Sequence, residues 1–151
     1  MRQALAYILA VLLATGAGWA ATAQPLGPSV RFQAVSVLVD TGDEPLAAYQ
    51  LDLRATTGNV RIVGIEGGEH PAFADPPYYD PAAIQGDRVI IGAFTTAPAG
   101  SLPTGKTRIA TIHVQVSGDR KPEYKAELSV AATADGGAIP GRLILDMEPQ
   151  R

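Results

Sequence analysis

From Val30 onward the chain sets apolar residues in short bursts of alternating polarity separated by turn residues, the pattern of strands with one buried face. The first burst, Phe32 to Val39, places Val35, Val37 and Val39 on one face and stops at the turn formers Thr41-Gly42-Asp43-Glu44-Pro45. The second, LAAYQLDLRA, gives Ala47, Tyr49, Leu51 and Leu53 to one face and Gln50, Asp52 and Arg54 to the other. After Thr57-Gly58-Asn59 the third, VRIVGI, scarcely alternates, which fits either a strand covered on both faces or one that shifts sheets. A long loop then leads to RVIIGAF, where Gly92 marks a bulge or the close approach of another backbone. IATIHVQV predicts Ala110, Ile112, Val114 and Val116 inside, with Thr111, His113 and Gln115 outside. EYKAELSVAA predicts Tyr124, Ala126, Leu128 and Val130 inside against Lys125, Glu127 and Ser129, and RLILDM closes the chain. At least seven strands and no helical spacing predict an all-β fold, two antiparallel sheets packed as a β-sandwich.

The first residues break this pattern. MRQALAYILAVLLATGAGWAATAQ runs from one cation, Arg2, through an apolar stretch to small residues ending Ala21-Thr22-Ala23, the order of a secretory signal peptide. Its apolar run falls short of the roughly 20 residues a spanning helix requires, so no transmembrane anchor is expected. Residues 1–23 are therefore read as a leader and residues 24–151 as a single β-sandwich domain, exported to a periplasm or beyond the cell. The chain has no cysteine, which excludes disulfides and thiolate metal sites and leaves packing to hold the domain. Loss of Arg2 with the leader takes the formal charge from −3 to −4, and nothing in this balance points to nucleic acid.

Between Leu46 and Val116 the order of features resembles the cohesin-like modules, β-sandwiches related in fold to the carbohydrate-binding domains of secreted polysaccharide-degrading systems. The resemblance rests on the small-residue-then-aromatic strand LAAYQLDL, on the turn YDPAAI of Tyr79 to Ile84, on RVIIGAF, and on Gly105-Lys106-Thr107 leading into IATIHVQV. It covers roughly half the chain, and a long loop stands between the first two motifs where the family places them in direct succession. It implies a sandwich of cohesin-like, jelly-roll or immunoglobulin-like topology. It also implies a non-catalytic module that contacts another secreted or envelope protein, or a polysaccharide. The contact residues of the family's calcium-binding partner module have no counterparts here.

The loop of residues 66–86 is the most distinctive segment. Loops of more than about 12 to 15 residues without structure of their own are uncommon in compact domains and are frequently functional. Prolines at 71, 76, 77 and 81 restrict its backbone, so that Phe73, Tyr78 and Tyr79 can be held rigidly beside Asp80. Rigid aromatics serve binding surfaces as stacking platforms or hot spots. In the competing reading the same rings fold back as a lid over the open end of the sandwich. Phe73, Tyr78, Tyr79 and Asp80 are accordingly the candidate partner-binding rim, with the polar strand face around His113 second to it.

Two further motifs bear on chemistry. Asp40-Thr41-Gly42 after an apolar run has the form of an aspartic protease motif, in which two such carboxylates share a proton. A single copy would require a homodimer, as in retropepsin-like enzymes, and Ile90-Ile91-Gly92 is similar to the segment beneath their active site. Asp43-Glu44-Pro45 departs from that pattern, and the plainer reading is a tight turn at a strand end. Asp40, Asp43, Glu44 and Asp135 could supply oxygen ligands to calcium, although no D-x-D-x-D-G loop is present, so no cofactor is expected beyond that calcium possibility. His70 and His113 are not spaced as zinc ligands. Phosphate-binding and nucleophile-elbow motifs are absent.

Overall fold

The computed structural model describes residues 27–147; the leader read from residues 1–23 lies outside them. Eight strands form: β1 (Val30–Asp40), β2 (Ala48–Thr57), β3 (Asn59–Gly67), β4 (Tyr78–Tyr79), β5 (Arg88–Phe94), β6 (Lys106–Ser117), β7 (Glu123–Ala132) and β8 (Arg142–Met147). They make two four-stranded sheets, β3-β6-β1-β8 and β4-β5-β2-β7, and all their pairings are antiparallel. The protein is an antiparallel β-sandwich. Its core joins Val35, Val37 and Val39 of β1 with Ile112, Val114 and Val116 of β6, and on the other sheet Leu51 and Leu53 of β2 with Val89 and Ile91 of β5. Strict alternation in these strands delivers the inner faces, as the spacing of their apolar residues requires.

Alternation fails at bulges. Opposite the Val37–Leu38 step of β1, Ile109 of β6 is the extra residue, so Ile109 and Ala110 are both fully buried. The Ile109 carbonyl accepts the Tyr49 hydroxyl at 3.1 Å, a hydrogen bond from one sheet to the other. In β3 the extra residue is Val63, between Ile62 and Gly64, which explains why VRIVGI reads as a nearly unbroken apolar run.

In β7 it is Ser129: Leu128 pairs with Leu51, but Val130 pairs with Gln50. That slip corrects the expectation for Val130, which leaves the inner face and is exposed, while Ala131 turns inward and is buried. Thr111 lies on the outer face as expected, and it is buried there because the Arg108 guanidinium donates to its hydroxyl at 2.7 Å and covers it.

The long loop is not structureless. His70 caps a 3-10 turn at Pro71–Phe73 by accepting the Ala72 N–H on Nδ1 at 3.1 Å, and the Gly68 N–H donates to the Phe73 carbonyl at 2.6 Å. Glycine is required where the chain enters this turn. A Cβ on Gly67 would strike the Ala74 carbonyl and one on Gly68 the Arg108 carbonyl, both rigid backbone. Then β4 adds two residues to the edge of β5, and a second 3-10 turn follows at Pro81–Ala83.

Candidate functional site

The four rim residues do not form one surface. Phe73 is 2% exposed and packs edge-on against Tyr49, ring centroids 5.2 Å apart, so it belongs to the core. The reason is the loop's own hydrogen bonding, which turns the ring inward at an end of the sandwich where Tyr49 offers an aromatic partner. Tyr78 and Tyr79 are neighbours in a strand and must point to opposite faces. Tyr79, paired with Ile91, packs partly buried against the core, whereas Tyr78, paired with Gly92, is 74% exposed. Asp80 is exposed and accepts the Ala82 N–H at 2.9 Å, capping the turn that follows.

What surrounds Tyr78 is the outer face of its sheet. In register across β4, β5, β2 and β7 lie Tyr78, Gly92, Gln50 and Val130. Ile90 and Phe94 flank Gly92 on the same strand and face. Tyr78 and Phe94 stack with centroids 6.3 Å apart and planes 14° from parallel. The absent side chain at Gly92 leaves an open trough of about 470 Å³, walled by Tyr78, Phe94, Ile90 and Val130. A Cβ there would stand 3.2 Å from the Tyr49 carbonyl and would begin to fill the floor. Gln50 lies in its lining with a polar side chain, and its carbonyl accepts the Ser129 hydroxyl at 3.0 Å.

Sequence reasoning missed Ile90, Gly92, Phe94 and Val130 as one surface. For three of them a signal existed. RVIIGAF is apolar on both faces, which an edge region of a two-layer sandwich does not need for its core. Val130 was hidden by the Ser129 bulge.

Beyond the trough the same face turns charged. Ile90, Asp52 and Glu127 form the next register row, and Arg88, Arg54 and Lys125 the one after it. Arg88 clasps Asp52 with both ends of its guanidinium, Nε to Oδ1 at 3.0 Å and Nη2 to Oδ2 at 2.6 Å. That pair, with Arg54 and Lys125 nearby, holds the Asp52 carboxyl below the usual carboxylate range.

The remaining candidates lie elsewhere. His113 is half-buried on the outer face of the other sheet, with Nε2 3.2 Å from the Glu66 carboxylate. Asp40 accepts the Gly42 N–H at 3.2 Å, with Gly42 at φ +61°, and pairs with Arg142 at 3.0 Å. Both contacts lower its pKa, the Gly42 bond more, and so favour the ionised carboxylate. Ile90 to Gly92 belong to the other sheet, in the wall and floor of the trough. Asp135 sits in a separate turn, accepting from the Thr133 hydroxyl and the Gly137 N–H. Among the described residues no three His, Cys, Asp or Glu side chains gather as a metal site, and no helix is long and apolar enough to cross a membrane.

Compared with protein-family models, curated proteins and solved structures, the chain finds no significant match in any of the three.

Proposed function

We propose that this is an exported, non-catalytic binding module, cohesin-like in character, whose contact surface is the outer face of the sheet β4-β5-β2-β7. One observation carries the reading: Tyr78, Phe94, Ile90 and Val130, all exposed, converge on the gap left by Gly92. Scattered surface hydrophobics need no explanation, but a contiguous apolar concavity rimmed by polar residues marks an interaction site. An antiparallel sandwich is also the architecture that the cohesin-like resemblance implies, which supports that part of the reading at the level of fold. Export rests on the charged-apolar-small order of residues 1–23.

A protein partner fits this surface better than a polysaccharide. Sugar rings stack on broad aromatic platforms, whereas the offset pair of Tyr78 and Phe94, centroids 6.3 Å apart, shares its surface with aliphatic side chains. Ile90 and Val130 offer a sugar little, whereas aliphatic and aromatic side chains together compose the centre of protein interfaces.

The test compares the mature chain with a Tyr78→Ala/Phe94→Ala variant, each immobilised against the secreted and envelope proteins of the source cell and against a glycan array. A partner retained by the first and lost by the folded variant supports the reading. Equal retention by both would remove the trough from the site. Peptide hydrolysis at acid pH abolished by Asp40→Asn would replace the module with a protease.

A further inference from the structure

The row Arg88, Arg54, Lys125 runs against the rules of sheet pairing. Residues directly opposite in antiparallel strands are close neighbours, and like charges there are destabilising. Arg54 faces Arg88 on one side and Lys125 on the other, both on the solvent face. The next row offers the remedy, because carboxylates at Asp52 and Glu127 could have been interleaved with cations across the strands. Instead the acids oppose each other and so do the cations. Arg88 alone of the row is ion-paired, through Asp52; Arg54 and Lys125 feel that carboxylate at longer range, and among the described residues neither stands within ion-pair distance of a carboxylate. A shallow basin of about 190 Å³ is lined by these five charged side chains.

The basic row lies four residues along β2 from Gln50 at the trough, roughly 13 Å at a strand's rise per residue. Trough and row thus form one face, apolar at one end and cationic at the other. On a chain of net charge −3 this is a local reversal of sign. Strand addition at the nearby edge is an unsuitable alternative, because β4 is two residues long and is bracketed by Pro76-Pro77 and Pro81.

We propose that Arg54 and Lys125 recognise carboxylates of a protein partner, whose contacting segment carries an apolar anchor for the trough and an acidic group roughly 13 Å from it. This rests on the trough being the contact surface. The separation corresponds to about four residues of extended chain or nine of helix. The unfavourable cation row is stability given up for recognition, a familiar cost at functional sites.

The experiment selects a random twelve-residue peptide display library on the immobilised mature chain in moderate salt, with polygalacturonate as a second probe. Expected are peptides pairing aromatic or aliphatic residues with Asp or Glu. Their affinity should fall at least tenfold both with Arg54→Gln/Lys125→Gln and with Val130→Glu. Arg54→Gln should at the same time raise the melting temperature, by about 1–3 °C, since it removes like-charge contacts. A fall would mean that Arg54 serves the fold and would overturn the proposal. Peptides that lose binding with Val130→Glu but ignore the charge substitutions would also overturn it and leave the contact surface intact. Binding of polygalacturonate alone, dependent on Arg54, would transfer the cation row to an anionic glycan. Peptides indifferent to all three substitutions would refute both this inference and the contact surface.

Discussion

Truncating Phe73 and truncating Tyr78 should have opposite consequences, although both rings come from the same proline-rich loop. Phe73 is buried against Tyr49, and its removal leaves a cavity bounded by a hydrogen-bonded turn and a β-strand, neither of which can collapse freely. Phe→Ala at such a site costs about 3–5 kcal/mol. For a domain with a total stability of roughly 5–15 kcal/mol that is a large fraction. The melting temperature should drop by about 9–25 °C, taking roughly 3–5 °C per kcal/mol for a chain of this size. Tyr78 has most of its surface in water, so Tyr78→Ala forfeits chiefly the stack on Phe94, worth about 0.5–1.5 kcal/mol. Its melting temperature should fall by no more than a few degrees. Thermal melts followed by far-ultraviolet circular dichroism measure both on one scale. A Phe73→Ala variant within 3 °C of the parent would show that the ring is not core. A Tyr78→Ala loss above 10 °C would show that the exposed ring supports the fold and would remove its exposure as an argument for partner contact.

Two other outcomes follow from single hydrogen bonds. Tyr49→Phe leaves the buried Ile109 carbonyl without its partner, an expected loss of about 1–2 kcal/mol in a neutral urea melt. Burial pushes the Tyr49 phenol well above its usual value near 10, so native protein holds a proton that the unfolded chain releases. Stability is therefore complete below about pH 10 and declines as pH rises beyond it, and Tyr49→Phe should flatten that alkaline decline, leaving the smaller share of half-buried Tyr124. An unchanged alkaline limb in the variant would refute the assignment. Asp40→Asn concerns the acid side: its depressed pKa contributes stability above about pH 4 that is lost as pH falls through the folded value, so the variant should be less sensitive to acid while binding its partner as before.

The inner faces were legible because period-two alternation is a direct consequence of strand geometry, and Val35 to Val39, Tyr49 to Leu53 and Ile112 to Val116 all lie where it puts them. What misled the reading was local. A bulge such as Ser129 adds one residue and inverts every side chain after it, and no residue type announces it. Two adjacent tyrosines look like one platform until a partner strand is known, since pairing with Gly92 and Ile91 is what assigns Tyr78 and Tyr79 to opposite faces. Phe73 depends on glycines at 67 and 68 that admit two close backbone passages, a tertiary fact with only a Gly-Gly dipeptide to signal it.

The richness of the loop in proline then has a physical explanation tied to the contact surface. The Ala55 N–H donates to the Asp87 carbonyl and the Thr95 N–H to the Ala47 carbonyl, so odd-numbered residues of β5 direct their backbone groups to β2. Even-numbered ones, Ile90, Gly92 and Phe94, direct theirs to the outer edge by the alternation of an antiparallel ladder. Left bare, that edge would recruit any extended chain, and its exposed apolar face would make the pairing adhesive. β4 covers Gly92, Pro76 and Pro77 bring no N–H to the neighbouring stretch, and Pro81 ends the strand after two residues. The edge is closed by residues that cannot pass the pairing on. The face can then keep Tyr78, Phe94, Ile90 and Val130 in water, because any chain that docks on it, as the proposed partner does, must match its shape and charge rather than merely its hydrogen-bond ladder.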